Sequence, residues 1–216
     1  MRFIIWAVVG LLSGWRAFVL AQRDVVRLRA TGETYGSGRV TEFDGLSFVV
    51  ALTSASLWGQ SALRFENDIT VLAMGLLSVI GLRLLLIDVD THLLPSGIVY
   101  RTIAIAVPLL TIAAFEDSYG SVGGMVLGAL IMWCAMKVLE VLSRGDLGGG
   151  DVTLSLLLGL YLGWLSLESI ATALVFAFAS AGLFAVLLLV LRRAGRRTHI
   201  AFGPFLIAGT LFAVLR

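Results

Sequence analysis

Residues 69–87 form a long apolar run, ITVLAMGLLSVIGLRLLLI, in which Arg83 is the only charged residue. An α-helix needs about 20 apolar residues to cross the hydrocarbon core of a bilayer. The run has nearly that length, so it predicts a transmembrane helix. It ends directly before an acidic residue, Asp88.

The composition of the whole chain also indicates a membrane protein. Of its 216 residues, 59% are hydrophobic and only 14% are charged, and the mean hydropathy is +0.99. Soluble domains carry about 25% charged residues, so this chain has too little polar surface to fold in water. Seven further apolar runs lie at residues 3–21, 46–63, 98–115, 121–142, 152–166, 167–191 and 200–215. We therefore predict an all-α polytopic membrane protein with about eight transmembrane helices, built as a single domain over residues 1–216.

Positive charge is distributed unevenly over the predicted loops. Twelve Lys and Arg residues fall on one side of the membrane: Arg23, Arg27, Arg29, Arg39, Arg83, Arg101, Lys137, Arg144, Arg192, Arg193, Arg196 and Arg197. Three fall on the other side: Arg2, Arg64 and Arg216. Cytoplasmic loops are enriched in Lys and Arg, so we expect residues 22–45 to form a cytoplasmic loop and both termini to face outward. The net charge of +2 is then a topology signal, and no nucleic-acid partner is expected.

The chain offers few ligands for a metal ion or a disulfide. Cys134 is its one cysteine, and neither His92 nor His199 has a second histidine at a metal-binding spacing. A thiolate zinc site needs several such residues together. We therefore expect no metal and no other cofactor.

Two acidic residues stand at the predicted cytoplasmic edge of the membrane. Asp88 follows the run at 69–87, and Asp151 follows three glycines and begins another run. A charge at the bilayer centre costs about 2.5–3.5 kcal/mol on insertion scales, so acids next to the membrane require an explanation. One explanation is structural: Asp151 caps a helix, the glycines form a turn, and Asp88 marks a helix exit. The other is catalytic: the two carboxyl groups meet, share one proton and activate a water molecule between them.

Three segments of the chain resemble motifs of one protein family. The segment IDVDTHLLP at 87–95 resembles the first aspartate motif of the type IV prepilin peptidases, and GGGD at 148–151 resembles their GxGD motif. The two aspartates are 63 residues apart with two apolar runs between them, which is similar to the family's spacing. The segment FGPFL at 202–206 resembles the C-terminal FGPF element of the family. These segments delimit a catalytic core at residues 87–206.

The resemblance implies a polytopic intramembrane aspartyl protease that removes the short basic leader of prepilins or pseudopilins. It assigns the catalytic pair to Asp88 and Asp151, and it gives supporting places to Asp90, Gly148 and Gly150. It implies no metal and no cofactor. It also implies a bacterial-type cytoplasmic (inner) membrane location, with the active site at the cytoplasmic face and with the bilayer and a prepilin as partners.

Three departures from the family pattern bear on the expected activity. Ser96 stands where the family commonly has Asp, and Thr153 stands where it often has Lys. The loop at 22–45 lacks the paired cysteines of the larger members, which also methylate the new pilin terminus using S-adenosylmethionine. The chain therefore resembles a compact form that acts as a peptidase only.

Two other functions use acids in similar positions. A presenilin-like or signal-peptide-peptidase-like protease shares GxGD but has Tyr-Asp at its first aspartate, where this chain has Ile87-Asp88. A proton-coupled membrane transporter would use a relay of ionisable residues inside the membrane. The candidates for such a relay are Asp88, Asp90, Asp151 and Arg16.

Two smaller patterns concern helix packing. Lys137 and Glu140 are three residues apart on a predicted helix, where they can form an ion pair. Glycines recur every four residues at 120, 124 and 128 and again at 159 and 163. Small residues at this spacing let two transmembrane helices pack closely. Arg16, inside the first run, is expected to extend its guanidinium group toward the membrane interface.

Overall fold

A computed structural model describes residues 1–31, 45–116, 120–143, 148–191 and 201–216. Over these residues it contains eight α-helices and no β-strand, which confirms the predicted all-α fold. The helices are α1 (Arg2–Ala30), α2 (Leu46–Arg64), α3 (Asp68–Thr91), α4 (Ser96–Glu116), α5 (Val122–Leu142), α6 (Gly149–Leu165), α7 (Leu167–Val190) and α8 (Gly203–Leu215).

The lengths of the described helices agree with an integral membrane protein. Six of the eight are long and apolar enough to cross a bilayer. The two others, α6 with 17 residues and α8 with 13, are shorter. At about 1.5 Å of rise per residue, they extend for about 25 Å and about 20 Å.

Several residues used in the topology prediction lie outside the described ranges. They are residues 32–44 of the predicted cytoplasmic loop, Arg144 to Leu147 before the GGGD segment, and residues 192–200, which include four arginines and His199.

Helix α1 is longer than the sequence predicted. It continues through Ala30, so the prediction of a loop from residue 22 was wrong for residues 22–30. Ala21 and Val25 lie one turn apart and are both buried, so this extension keeps an apolar face against the bundle. Asp24 in the same segment pairs with Arg83 of α3, with Oδ2 and Nη2 2.6 Å apart. The charged residues at 23, 24, 27 and 29 therefore lie on a helix.

Helix α3 also extends beyond its predicted end at Ile87. It begins after Asn67, whose side chain accepts a hydrogen bond from the Ile69 N–H at 2.7 Å. It ends at His92, which adopts the left-handed conformation common at helix C-termini, with φ 53°. Asp88 therefore lies in the last turns of α3 instead of following the helix.

Helices α5 and α6 are in direct backbone contact through glycine. A Cβ atom added to Gly128 would lie 2.5 Å from the Cα of Gly163, and one added to Gly159 would lie 2.5 Å from the Gly128 carbonyl oxygen. This contact confirms the close packing predicted from the glycine spacing. It holds α6 in the centre of the bundle, where Trp164 is buried and donates a hydrogen bond to the Leu110 carbonyl oxygen of α4 at 2.9 Å.

Contacts at helix ends show which ends lie on the same side of the bundle. Arg2 at the start of α1 pairs with Asp68 at the start of α3, with Nε and Oδ1 2.7 Å apart. Asn67, next to Asp68, donates a hydrogen bond to Glu116 at the end of α4 at 2.8 Å. The helices thus alternate in direction, and the end of α3 lies on the side opposite to these contacts.

Candidate active site

Asp88 and Asp151 are both buried with an unpaired carboxyl oxygen. Asp88 is 4% exposed, and Asp151, in the first turn of α6, is 9% exposed. Oδ2 of Asp88 and Oδ1 of Asp151 accept no hydrogen bond from any described residue. A buried polar atom without a partner costs about 1–3 kcal/mol of folding free energy. Such atoms are rare in folded proteins and often mark functional positions.

The fold brings these two carboxyl groups together. They belong to helices whose sequence positions are 63 residues apart, yet they lie close enough for their charges to interact. The C-terminal end of α3 and the N-terminal end of α6 are therefore neighbours. The role of the two residues as a catalytic pair stays a prediction.

Asp151 is not a helix cap. The residue at the N-cap of α6 is Gly148, which has no side chain to cap the helix. The backbone N–H of Asp151 itself donates to the Gly148 carbonyl oxygen at 3.0 Å. The structural alternative, in which Asp151 serves as a cap, is therefore wrong.

The two motif glycines before Asp151 have different surroundings. A Cβ atom on Gly150 would lie 2.7 Å from the Cβ and 3.0 Å from the carbonyl oxygen of Leu94, in the turn between α3 and α4. On Gly148 the nearest atom to such a Cβ would be Oδ2 of Asp151, at 3.9 Å. Only Gly150 must therefore lack a side chain for the α3–α4 turn to pack against α6.

Helix α8 also contacts the site, through Gly203 at its start. The FGPFL motif at 202–206 did not predict this contact. The backbone N–H of Gly203, at the start of α8, faces the carboxyl group of Asp88. A Cβ atom on Gly203 would lie 2.5 Å from Oδ2 of Asp88 and 3.0 Å from Cδ1 of Leu94. A Gly-Pro pair indicates from the sequence that a helix begins there. It does not indicate which distant residue the glycine contacts.

Asp90, expected to support the pair, lies on a different face of α3. It is fully buried, but two residues along a helix correspond to about 200° of rotation. Asp90 therefore shares a face with Leu86, one turn earlier, which packs in an apolar cluster with Val25 of α1. The supporting role of Asp90 stays a prediction.

Other residues singled out in the sequence have the following surroundings. Lys137 and Glu140 form the expected ion pair on α5. Arg16 is exposed on α1, and its extension toward the interface stays a prediction. Thr153 donates a hydrogen bond to the Gly149 carbonyl oxygen at 3.0 Å, and Ser96 is exposed at the start of α4.

The described residues offer no cluster of metal ligands. Within the described ranges, no group of three or more His, Cys, Asp or Glu side chains lies close enough to hold a metal ion.

The fold and the site define a class: a polytopic helical membrane protein with two buried aspartates next to each other at one end of the bundle. Residues 71–191 match the type IV leader peptidase family. This match covers more than half of the chain, and the chain belongs to that family.

Several curated relatives share the name prepilin leader peptidase/N-methyltransferase. The protein from Pseudomonas aeruginosa is 31% identical over 177 residues, which cover 77% of this chain and 57% of the relative. The Burkholderia pseudomallei protein is 30% identical over 170 residues, covering 76% and 53%. The Bacillus subtilis protein is 25% identical over 168 residues, covering 76% and 63%. The chain thus spans between half and two thirds of the length of these relatives, and no solved structure matches it.

Proposed function

We propose that this protein is a prepilin leader peptidase that acts as an intramembrane aspartic endopeptidase. The observation that supports it most is the pair of buried carboxyl groups, Asp88 and Asp151, each with an oxygen that no described residue satisfies. Their proximity supports catalysis by the pair. Membership in the type IV leader peptidase family and the names of the relatives support the substrate class.

The proposed reaction is hydrolysis of one peptide bond. Two neighbouring carboxyl groups hold one proton between them, because two negative charges repel at short range. The ionised group removes a proton from a water molecule while the water oxygen attacks the scissile carbonyl carbon. The protonated group donates its proton to the carbonyl oxygen. As the C–N bond breaks, the group that took the water proton donates it to the leaving amine nitrogen, and the other group takes a proton from a hydroxyl of the tetrahedral intermediate, so the pair returns to its initial state.

The proposed substrate is a prepilin or pseudopilin with a short basic leader. The distribution of Lys and Arg supports a cytoplasmic location for the end of α3 and the start of α6, and we propose cleavage there, in a bacterial-type inner membrane. Gly150, which must lack a side chain, supports the site by letting the turn with Leu94 pack against α6. Gly148 is the second supporting glycine, and Oδ2 of Asp151 would lie 3.9 Å from a Cβ atom at this position.

We further propose that the protein cleaves but does not methylate. The segment at 22–45 has no cysteine, whereas the larger methylating members that the chain resembles carry paired cysteines in this loop. Mass spectrometry of the cleaved substrate tests this proposal, because N-methylation adds 14 Da (about one CH₂ group) to its new N-terminus. An unmethylated product in the presence of S-adenosylmethionine is the expected result.

A transporter relay has less support from the structure. Arg16, one candidate member, is exposed on α1, whereas the Asp88–Asp151 pair lies between α3, α6 and α8. Asp88 and Asp151 also lie at helix ends and not in a broken helix at mid-membrane, which a transporter site would favour. The presenilin-like alternative lacks support from the residue before the first aspartate, which is Ile87.

Substitution of each aspartate by asparagine tests the proposal. In proteoliposomes that contain a prepilin-like substrate, Asp88→Asn and Asp151→Asn should lower the rate of leader removal by about 100-fold or more, since acid–base catalysis contributes at least that much. Asp68→Asn is a matched control, because Asp68 lies on the same helix but is exposed at its other end. Wild-type cleavage by either site variant would refute the catalytic pair.

A further inference from the structure

The start of α8 leaves one backbone donor free to contact Asp88. The N–H groups of Phe205 and Leu206 both donate to the Phe202 carbonyl oxygen, at 3.1 and 3.2 Å. Pro204 has no N–H group. Within this first turn, the N–H of Gly203 is the one that faces the Asp88 carboxyl group.

Aromatic pairs with α7 hold the start of α8 in place. The ring centroids of Phe178 and Phe202 are 5.2 Å apart, and those of Phe184 and Phe205 are 5.6 Å apart. These distances lie in the range of favourable aromatic contacts. Gly203 lies between these two α8 rings in the sequence, so its backbone cannot retreat from Asp88 without separating both pairs.

The space in front of Gly203 is occupied by the Asp88 carboxyl group. A Cβ atom there would lie 2.5 Å from Oδ2 and 3.3 Å from Cγ of Asp88. Of the groups in this contact, the aspartate side chain is the easiest to move, because it can rotate about its own bonds. A methyl group at position 203 would therefore displace the carboxyl group and leave the helices in place.

We propose that Gly203 is a positioning residue for Asp88: its N–H and its missing side chain together direct the Asp88 carboxyl group toward Asp151. This inference rests on the proposed function, because it concerns the geometry of the same pair. The FGPF element at 202–205 would then affect catalysis by positioning Asp88, without itself contacting the substrate.

The variant Gly203→Ala tests the inference by kinetics. We expect kcat to fall about 100-fold, as for a misplacement of about 1 Å at a reacting group, while KM stays within a few-fold of the wild-type value. The pH dependence of kcat/KM should also change shape, because its limbs report the coupled ionisations of the pair. Gly182→Ala is the matched control, since no atom lies within 4 Å of a Cβ at that helical position. Wild-type kcat in Gly203→Ala would overturn the inference.

A stability measurement keeps the inference testable if Gly203→Ala folds poorly. The added methyl group should destabilise the wild-type protein more than the Asp88→Ala variant, in which only its contact with Cδ1 of Leu94 remains. The fall in the thermal unfolding temperature caused by Gly203→Ala should therefore be smaller in the Asp88→Ala background. An equal loss of thermal stability in both backgrounds would overturn the inference.

The two proposals fail in different ways. If Asp88→Asn abolishes cleavage while Gly203→Ala does not affect it, the catalytic pair stands and the role of Gly203 falls. If Asp88→Asn cleaves normally, the proposed function itself falls.

Discussion

The substitution Gly150→Ala tests whether close packing between α6 and the α3–α4 turn is needed for activity, because it leaves both aspartates unchanged. The new Cβ atom would lie 2.7 Å from the Cβ of Leu94, whereas two carbon atoms prefer about 3.5–4.0 Å. The α3–α4 turn and the start of α6 must therefore move apart by about 1 Å. Overpacking of this kind costs about 1–3 kcal/mol of stability. Because Asp151 follows Gly150 directly, we expect the same movement to lower kcat about 100-fold.

Gly148→Ala provides the comparison within the same motif. The nearest atom to its new Cβ would be 3.9 Å away, an ordinary contact distance, so its thermal unfolding in detergent should match that of the wild type. Both variants would be measured by thermal unfolding and by cleavage of a prepilin-like substrate. Equal stability of Gly150→Ala and Gly148→Ala would refute the packing argument. A loss of cleavage in a stable Gly148→Ala variant would indicate that Gly148 contacts the substrate.

Two further predictions concern the ion pair between α1 and α3 and the absence of a metal requirement. Asp24→Asn should lower the free energy of unfolding by about 1–3 kcal/mol, because it leaves the partly buried Arg83 without its carboxylate partner. Asp68→Asn, which breaks an exposed pair with Arg2, should cost much less, and equal losses in thermal unfolding would contradict this ranking. Leader removal should persist in EDTA, since the proposed mechanism uses carboxyl groups alone. A loss of activity that zinc restores would speak against that mechanism.

The sequence predicted the helices well where lipid is the main constraint. A segment that crosses a bilayer must satisfy all its backbone groups internally, so apolar runs of the right length become helices. The predictions were wrong at helix ends. Residues 22–30 carry several charges, yet they continue α1 because Val25 remains on its buried face. Hydropathy is averaged over all faces of a helix, so it cannot show that one face of residues 22–30 is buried.

The candidate site was predicted only in part, for a related reason. The motifs singled out Asp88 and Asp151, and the structure puts these two residues together. The motifs also singled out Asp90, but helical rotation directs it to another face of α3. The motifs included Gly203 but predicted no role for it. Its contact is with Asp88, 115 residues away in the sequence, and no local pattern indicates such a contact.

The sequence by itself predicted the lipid solvent, the helices of the described ranges and the two candidate acids, because each depends on local composition or on a short motif. Only the tertiary structure decided which motif glycine must lack a side chain and that the start of α8 contacts Asp88. These features depend on how helices rotate and approach each other. That arrangement follows from the packing of side chains between segments remote in the chain, and no single segment contains it.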